Sequence, residues 1–410
     1  MINRKGLAAA AACAALVCAG MVRGGTTPDA GLSLARPIYA ADAPAKPLMN
    51  VLNQAGVGKS MSDAGLNAGG FIEGSWTYNF DNPDSHTNNG RVFDFEDQDP
   101  TLNQVDVFVE KTVDASKGKF DIGGRMEWIW GGDARLIHAN GLFDHYGLGD
   151  GPDEQFDLNQ LYIQLAVPVG SGLTVTAGKF VTLLGYEYIN PTLNPFYSHS
   201  YLFGFAIPFT HTGIIGKYNV SDKLAITAGI TRGWEQSLED NNGCSIDVIW
   251  QVAYTLDDKT SISVTGITGP EEANDSDHYR TVIDGIITYK ASDNLTLAAN
   301  GDYGWEADAA NDGGDAKWCG LALYAGYTID SHFTLNGRVE YFNDEDGARG
   351  LDSTVYEATI GLAIKPMPND QWGQGLIIRP ELRWDHANHD LYNDGDENMY
   401  TFGADIIYAF

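Results

Sequence analysis

The sequence predicts an all-β fold: a transmembrane, antiparallel, up-and-down β-barrel of about sixteen strands, with short turns at one end and long acidic loops at the other. Three observations carry this. Segments of roughly ten residues alternate apolar and polar side chains along most of the chain, as Phe402, Ala404, Ile406, Tyr408 and Phe410 do with Thr401, Gly403, Asp405, Ile407 and Ala409. The connections between them alternate short and long. No segment after the N-terminal leader holds the ~18 consecutive apolar residues of a helical span. A water-soluble β-sandwich would share the alternation but not the regular exchange of connection length.

In order along the chain, Arg4 and Lys5 precede the apolar run GLAAAAACAALVCAGMV and the small residues of IYAADA, the pattern of an export signal cleaved after Ala40 or Ala43. Residues 1–40 are therefore expected to be removed, 41–66 to form a periplasmic segment, and 67–410 to form the barrel. Strands are expected near 68–80, 102–113, 119–130, 156–168, 172–184, 207–219, 223–233, 244–255, 259–269, 279–290, 294–304, 316–328, 332–343, 352–365, 375–386 and 398–410. Most reach the ~9–11 residues that cross a bilayer at a barrel tilt. The turns DASKG, VPVGSG, NVSD, LDDK, ASDN and TIDS face the periplasm. The loops DNPDSHTNNGRVFDFEDQDP, EQSLEDNNG, PEEANDSD, EADAANDGGD, NDEDGARG and HANHDLYNDGDE face outward and, being acidic, are expected to stand in water. Trp128, Trp130, Trp250 and Trp384 share the apolar parity and suit interfacial girdles.

Charge excludes one class of partner. With 55 acidic against 25 basic residues, a net charge of −30 and a mean hydropathy of −0.22, the chain repels nucleic acid. Two of its four cysteines, Cys13 and Cys18, leave with the leader. Cys244 and Cys319 are expected on strands about four apart, beyond the ~7 Å limit of a disulfide.

The third outer connection differs from the rest. Residues 185–213 read GYEYINPTLNPFYSHSYLFGFAIPFTHTG, with eight aromatic residues and Glu187 as the sole formal charge. Exposed in water, those rings would make a large apolar patch. Folded inward they would be covered, so residues 185–207 are expected to narrow the lumen, with Glu187, Tyr197, His199 and His211 as candidate constriction residues. Gly185 with Glu187, Asn190-Pro191, Asn194-Pro195, Tyr197-Ser198-His199-Ser200-Tyr201 and Pro208-Phe209-Thr210-His211-Thr212-Gly213 resemble the central motif of the OmpL-like β-barrel porin family. GGFIEGSWTYNFDNP is similar to that family's first strand. The resemblance implies a porin of the bacterial outer membrane without naming a solute. The ending YTFGADIIYAF resembles the last strand of outer-membrane proteins, in which Tyr408 and Phe410 would be read by the barrel-insertion machinery.

Strand parity points Asp106, Glu110, Arg125, Glu127, Arg338, Glu340, Glu357, Arg379, Glu381 and Arg383 into the lumen, since an Arg or Lys facing lipid at mid-depth costs about 2–4 kcal/mol. They would either line a polar channel or pair off to brace the wall. No catalytic, metal or cofactor motif is complete. HDLYNDGDEN lacks the ligand at Tyr392 and the closing glutamate of a calcium loop, and QAGVGKS has Asn53 where a phosphate loop needs glycine. The expected function is passive diffusion of small hydrophilic solutes or ions, with mild cation preference from the acidic loops. The alternative is a closed barrel acting as adhesin or scaffold. Expected partners are outer-membrane lipid and lipopolysaccharide, and homo-oligomers are compatible.

Overall fold

A computed structural model describes residues 47–146, 151–239, 246–272 and 275–410. The leader expected over residues 1–40 and Cys244 lie outside the described residues. Two short helices, α1 (Pro47–Gln54) and α2 (Gly58–Asp63), precede the strands. The strands are β1 (Asn67–Asn79), β2 (Thr101–Lys111), β3 (Asp121–Gly131), β4 (Gln155–Val167), β5 (Leu173–Val181), β6 (Thr210–Asn219), β7 (Leu224–Thr231) and β8 (Asp247–Thr255). They continue as β9 (Thr260–Pro270), β10 (Tyr279–Lys290), β11 (Leu295–Glu306), β12 (Ala316–Thr328), β13 (Phe333–Asn343), β14 (Thr354–Ile364), β15 (Leu376–Ala387) and β16 (Asn398–Ala409).

Each strand pairs with its neighbours in sequence, and β1 pairs with β16, so the sixteen strands close on themselves. Closure satisfies every strand edge, as a lipid-embedded sheet requires. The seam is fixed at its end by reciprocal backbone bonds: the Phe410 N–H donates to the Gly70 carbonyl at 2.9 Å, and the Gly70 N–H to the Phe410 carbonyl at 3.1 Å. Tyr408 lies on β16 opposite Ile72 and Leu376, and its hydroxyl donates to the Trp372 carbonyl at 3.0 Å. The strand ends agree with the sequence reading to within a few residues. The largest shifts are of three residues, at the end of β5, which stops at Val181, and at the starts of β6 and β8; beyond Val181 the Thr182 hydroxyl meets His211 Nε2 at 3.0 Å and the chain then leaves the wall.

The period of two sorts the faces. Ile163, Val339, Ile360, Leu382 and Ile406 stand on the outer surface, where hydrocarbon would cover them. Their sequence neighbours Arg338, Thr359, Glu381, Arg383 and Asp405 point inward and are buried. Cys319 lies on the outward parity of β12, half-buried and unbridged.

One expectation is corrected. The first outer loop, residues 80–100, does not simply stand in water: Arg91, Phe93, Asp94 and Asp97 are buried. Arg91 pairs with Asp94 and with Asp385 on β15, and Phe93 packs on the third loop at 4.7 Å from the His199 ring. The eighth outer loop, residues 388–397, also turns in, with Tyr392 fully buried and its hydroxyl 2.8 Å from that of Tyr201. Acidic composition misled here because both loops carry a few apolar and pairing residues among many solvated ones.

Candidate functional site

The third outer loop, residues 182–209, enters the barrel. Gly185 begins the turn with φ +86°, a left-handed conformation that favours glycine, and a Cβ there would lie 2.4 Å from Ile207 Cδ1. Phe196, Tyr197, Tyr201, Leu202 and Phe203 are all buried. A single hydrophobic cluster joins Tyr201, Leu202 and Phe203 to inward residues of the wall, among them Ile215, Ile249, Ile267, Trp318 and Phe342. Glycines on the wall make room: a Cβ at Gly361 would sit 3.1 Å from Phe196, and one at Gly403 3.3 Å from Tyr197.

An irregular backbone away from water must still satisfy its polar groups. The wall supplies them from charged side chains on β13 to β16. Glu340 accepts from the Tyr201 and Leu202 N–H groups, both at 2.7 Å, and Glu381 from Tyr197 and Ser198 at 3.0 and 3.1 Å. Arginines serve the carbonyls. Arg338 donates to Ser198 O at 2.8 Å, Arg383 to His199 O at 2.6 Å, and Arg379 to Pro191 O and Asn194 O at 2.8 and 2.7 Å. Each arginine also holds a carboxylate: Arg338 pairs with Glu357 and Glu187, Arg379 with Asp405, Arg383 with Asp385. Side chains of opposite sign thus alternate as acceptors and donors for one strap of backbone.

Of the constriction candidates, Glu187 is the hub. Its carboxylate accepts from Arg338 Nη1 and lies against His199 Nδ1, both at 2.9 Å, and accepts from the Ser200 N–H and the Tyr324 hydroxyl, both at 3.0 Å. His199 stacks on Phe203 at 4.4 Å. The Tyr197 hydroxyl accepts from Ser75 Oγ at 2.8 Å. His211 stands apart from this group, on β6, where it faces Thr182.

The remaining inward residues named from parity cluster on β2 and β3. Arg125 donates to Glu110 at 2.6 Å and pairs with Glu127, and its guanidinium covers the Phe108 ring at 4.1 Å. Asp106 is 1% exposed, with no hydrogen-bond partner on either carboxylate oxygen. Residues that sequence reasoning missed are Arg91, Tyr392, Asp385 and Asp405, which complete the charge network, and Arg349, which donates to Phe205 O at 2.6 Å.

Burial alone would raise the Glu187 carboxyl, but the Arg338 guanidinium, and then His199 and the Ser200 N–H, bring it from 4.5 to about 2. Because the folded value lies below the unfolded one, this stabilisation is complete above pH 4.5 and is lost as pH falls towards about 2. The loop is therefore expected to stay docked through neutral and mildly acidic pH and to loosen near pH 2. Current noise recorded against pH checks this, and Glu187→Gln should remove the low-pH transition.

The comparisons agree with this architecture. The family model described as "Putative beta-barrel porin-2, OmpL-like" matches residues 65–410. The chain belongs to that porin family. No curated protein sequence matches it. Among solved structures, this porin is similar to the outer membrane channel DcaP of Acinetobacter baumannii, with 11% identity and a TM-score of 0.55 over 84% of this chain and 97% of that one. It is similar to an anion-selective porin from Comamonas acidovorans at 13% identity and a TM-score of 0.55, over 84% and 99% of the two chains. Pseudomonas putida OprB gives 12% and 0.54, over 87% and 97%. At these identities the likeness is one of fold. The porin is an outer-membrane β-barrel, with its outward apolar band in lipid.

Proposed function

We propose that this porin is a passive diffusion channel for small hydrophilic solutes and ions, with the third loop as its constriction. The observation that carries the reading is an inward loop tethered to a closed wall of sixteen strands, a number at which a barrel is wide enough for an aqueous path of ~16-strand porin type. Glu187, Tyr197 and His199 would hold the narrowing loop in place, with His211 at its return to the wall, and the acidic outer loops should favour cations at the mouth. Lipopolysaccharide and phospholipid would surround the outer face, the insertion machinery would read Tyr408 and Phe410, and several barrels could associate.

Liposome swelling with sugars of increasing size tests the reading. Smaller sugars should enter and larger ones should not. One observation favours a second reading, a closed surface scaffold: the apolar cluster that runs from the third loop to both sides of the wall. Liposomes that admit no solute would support that scaffold.

A further inference from the structure

The lipid-facing surface of β11 to β14 is not evenly convex. Four small residues, Ala299, Ala325, Gly337 and Ala358, share the outward parity of these consecutive strands. Around them stand Leu297, Leu323, Val339 and Ile360, between 37% and 55% exposed. The large side chains beside the small ones enclose a groove of about 820 Å³. A Cβ added at Gly337 would meet no atom within 4 Å, so the floor there is open space.

The groove lies near the short-turn end of the barrel. Tyr289 and Tyr327, at its edge, are the next-to-last residues of β10 and β12, and both strands run towards the turns ASDN and TIDS. Three strand spacings separate Ala299 from Ala358, about 14 Å across the wall, which fits within one leaflet of a ~30 Å hydrocarbon core. The Tyr289 and Tyr327 rings are 43% and 47% exposed, and among the described residues neither hydroxyl bonds to a protein group. Rings with a polar tip at that depth sit where acyl chains give way to head groups.

We infer that this groove retains one acyl chain of a phospholipid from the leaflet at the short-turn end, with the Tyr289 and Tyr327 hydroxyls donating to its ester or phosphate oxygens. Within hydrocarbon no hydrophobic force favours one apolar neighbour over another, so retention depends on contact. A convex wall touches a passing chain along one side. A groove touches it along three, and dispersion adds over those atoms. Short turns of such barrels are periplasmic, and the leaflet on that side is built of phospholipid. A second barrel fits the groove less well: its convex wall would not reach the floor at Gly337, and its apolar face would leave both phenols without acceptors.

The test is native mass spectrometry of the full barrel, folded in mild detergent and given dioleoyl phosphatidylethanolamine. The unmodified barrel should carry one bound phospholipid. Gly337→Leu and Ala325→Leu fill the floor and should each cut the bound fraction several-fold. Gly216→Leu should not, because Gly216 lies on β6 between the exposed Ile214 and Tyr218, away from the groove, where a Cβ would meet Leu173 at an ordinary 3.5 Å. Tyr289→Phe with Tyr327→Phe keeps the shape of the groove and should also lower retention. Heat-modifiable mobility verifies each barrel first. No bound lipid on the unmodified barrel, or equal retention in both groove-filling variants, would overturn the inference. So would a two-barrel mass that Gly337→Leu abolishes, since a second copy would then be what covers the groove. None of these masses depends on conductance, so failure here leaves the channel reading to its own test.

Discussion

Deleting Asn194–Phe205 is expected to raise single-channel conductance several-fold while leaving the barrel intact. The deleted residues form no part of the wall, and β5 still pairs with β6 up to Val181 and Thr210. What is lost is the strap that Glu340, Glu381, Arg338 and Arg383 hold by its backbone. Those side chains would then face water, which solvates them readily, so the closed sheet should survive the change. Heat-modifiable mobility in gels would verify the barrel before current is recorded. An intact barrel with unchanged conductance would show that the loop does not limit flow.

Replacing Arg338 by methionine should have the largest effect of any single substitution in the network. Arg338 is fully buried between Glu187 and Glu357, and also serves the Ser198 carbonyl. Removing one partner of a buried charge pair typically costs about 3–5 kcal/mol, because the other charge is left without compensation. Here two carboxylates lose their cation. The loop should detach, giving larger and noisier current and earlier proteolysis between β5 and β6. Adding Glu187→Gln to Arg338→Met should recover part of the loss, since one stranded charge is then gone; a double variant no better than the single one would mean that Glu187 is not coupled to Arg338.

Much of the wall is legible in the sequence because strand faces repeat every two residues and each short turn resets the pattern locally. Thr401–Phe410 needs no distant information to reveal which side meets lipid. The inward fold of the third loop is legible for a related reason, since eight rings with a single charge among them cannot be left in water. Its attachment points are not. Glu187 and Arg338 are separated by 151 residues, and their meeting depends on the stagger of all strands between them. Arg91 was hidden by its setting: the run Arg91-Val92-Phe93 lies in a strongly acidic loop, and the apolar-patch argument applied to those residues alone would have turned them inward. Asp385 and Asp405 share the inward parity of Arg383 and Arg379, so the alternation that placed the arginines also contained their partners.

Single-channel recording of purified, refolded protein with a polyethylene-glycol exclusion series tests the central claim most directly. A channel narrowed by its third loop should give small, steady current steps that only the smallest polymers reduce. Complete absence of current, or the wide cut-off of an unobstructed sixteen-stranded barrel, would contradict it.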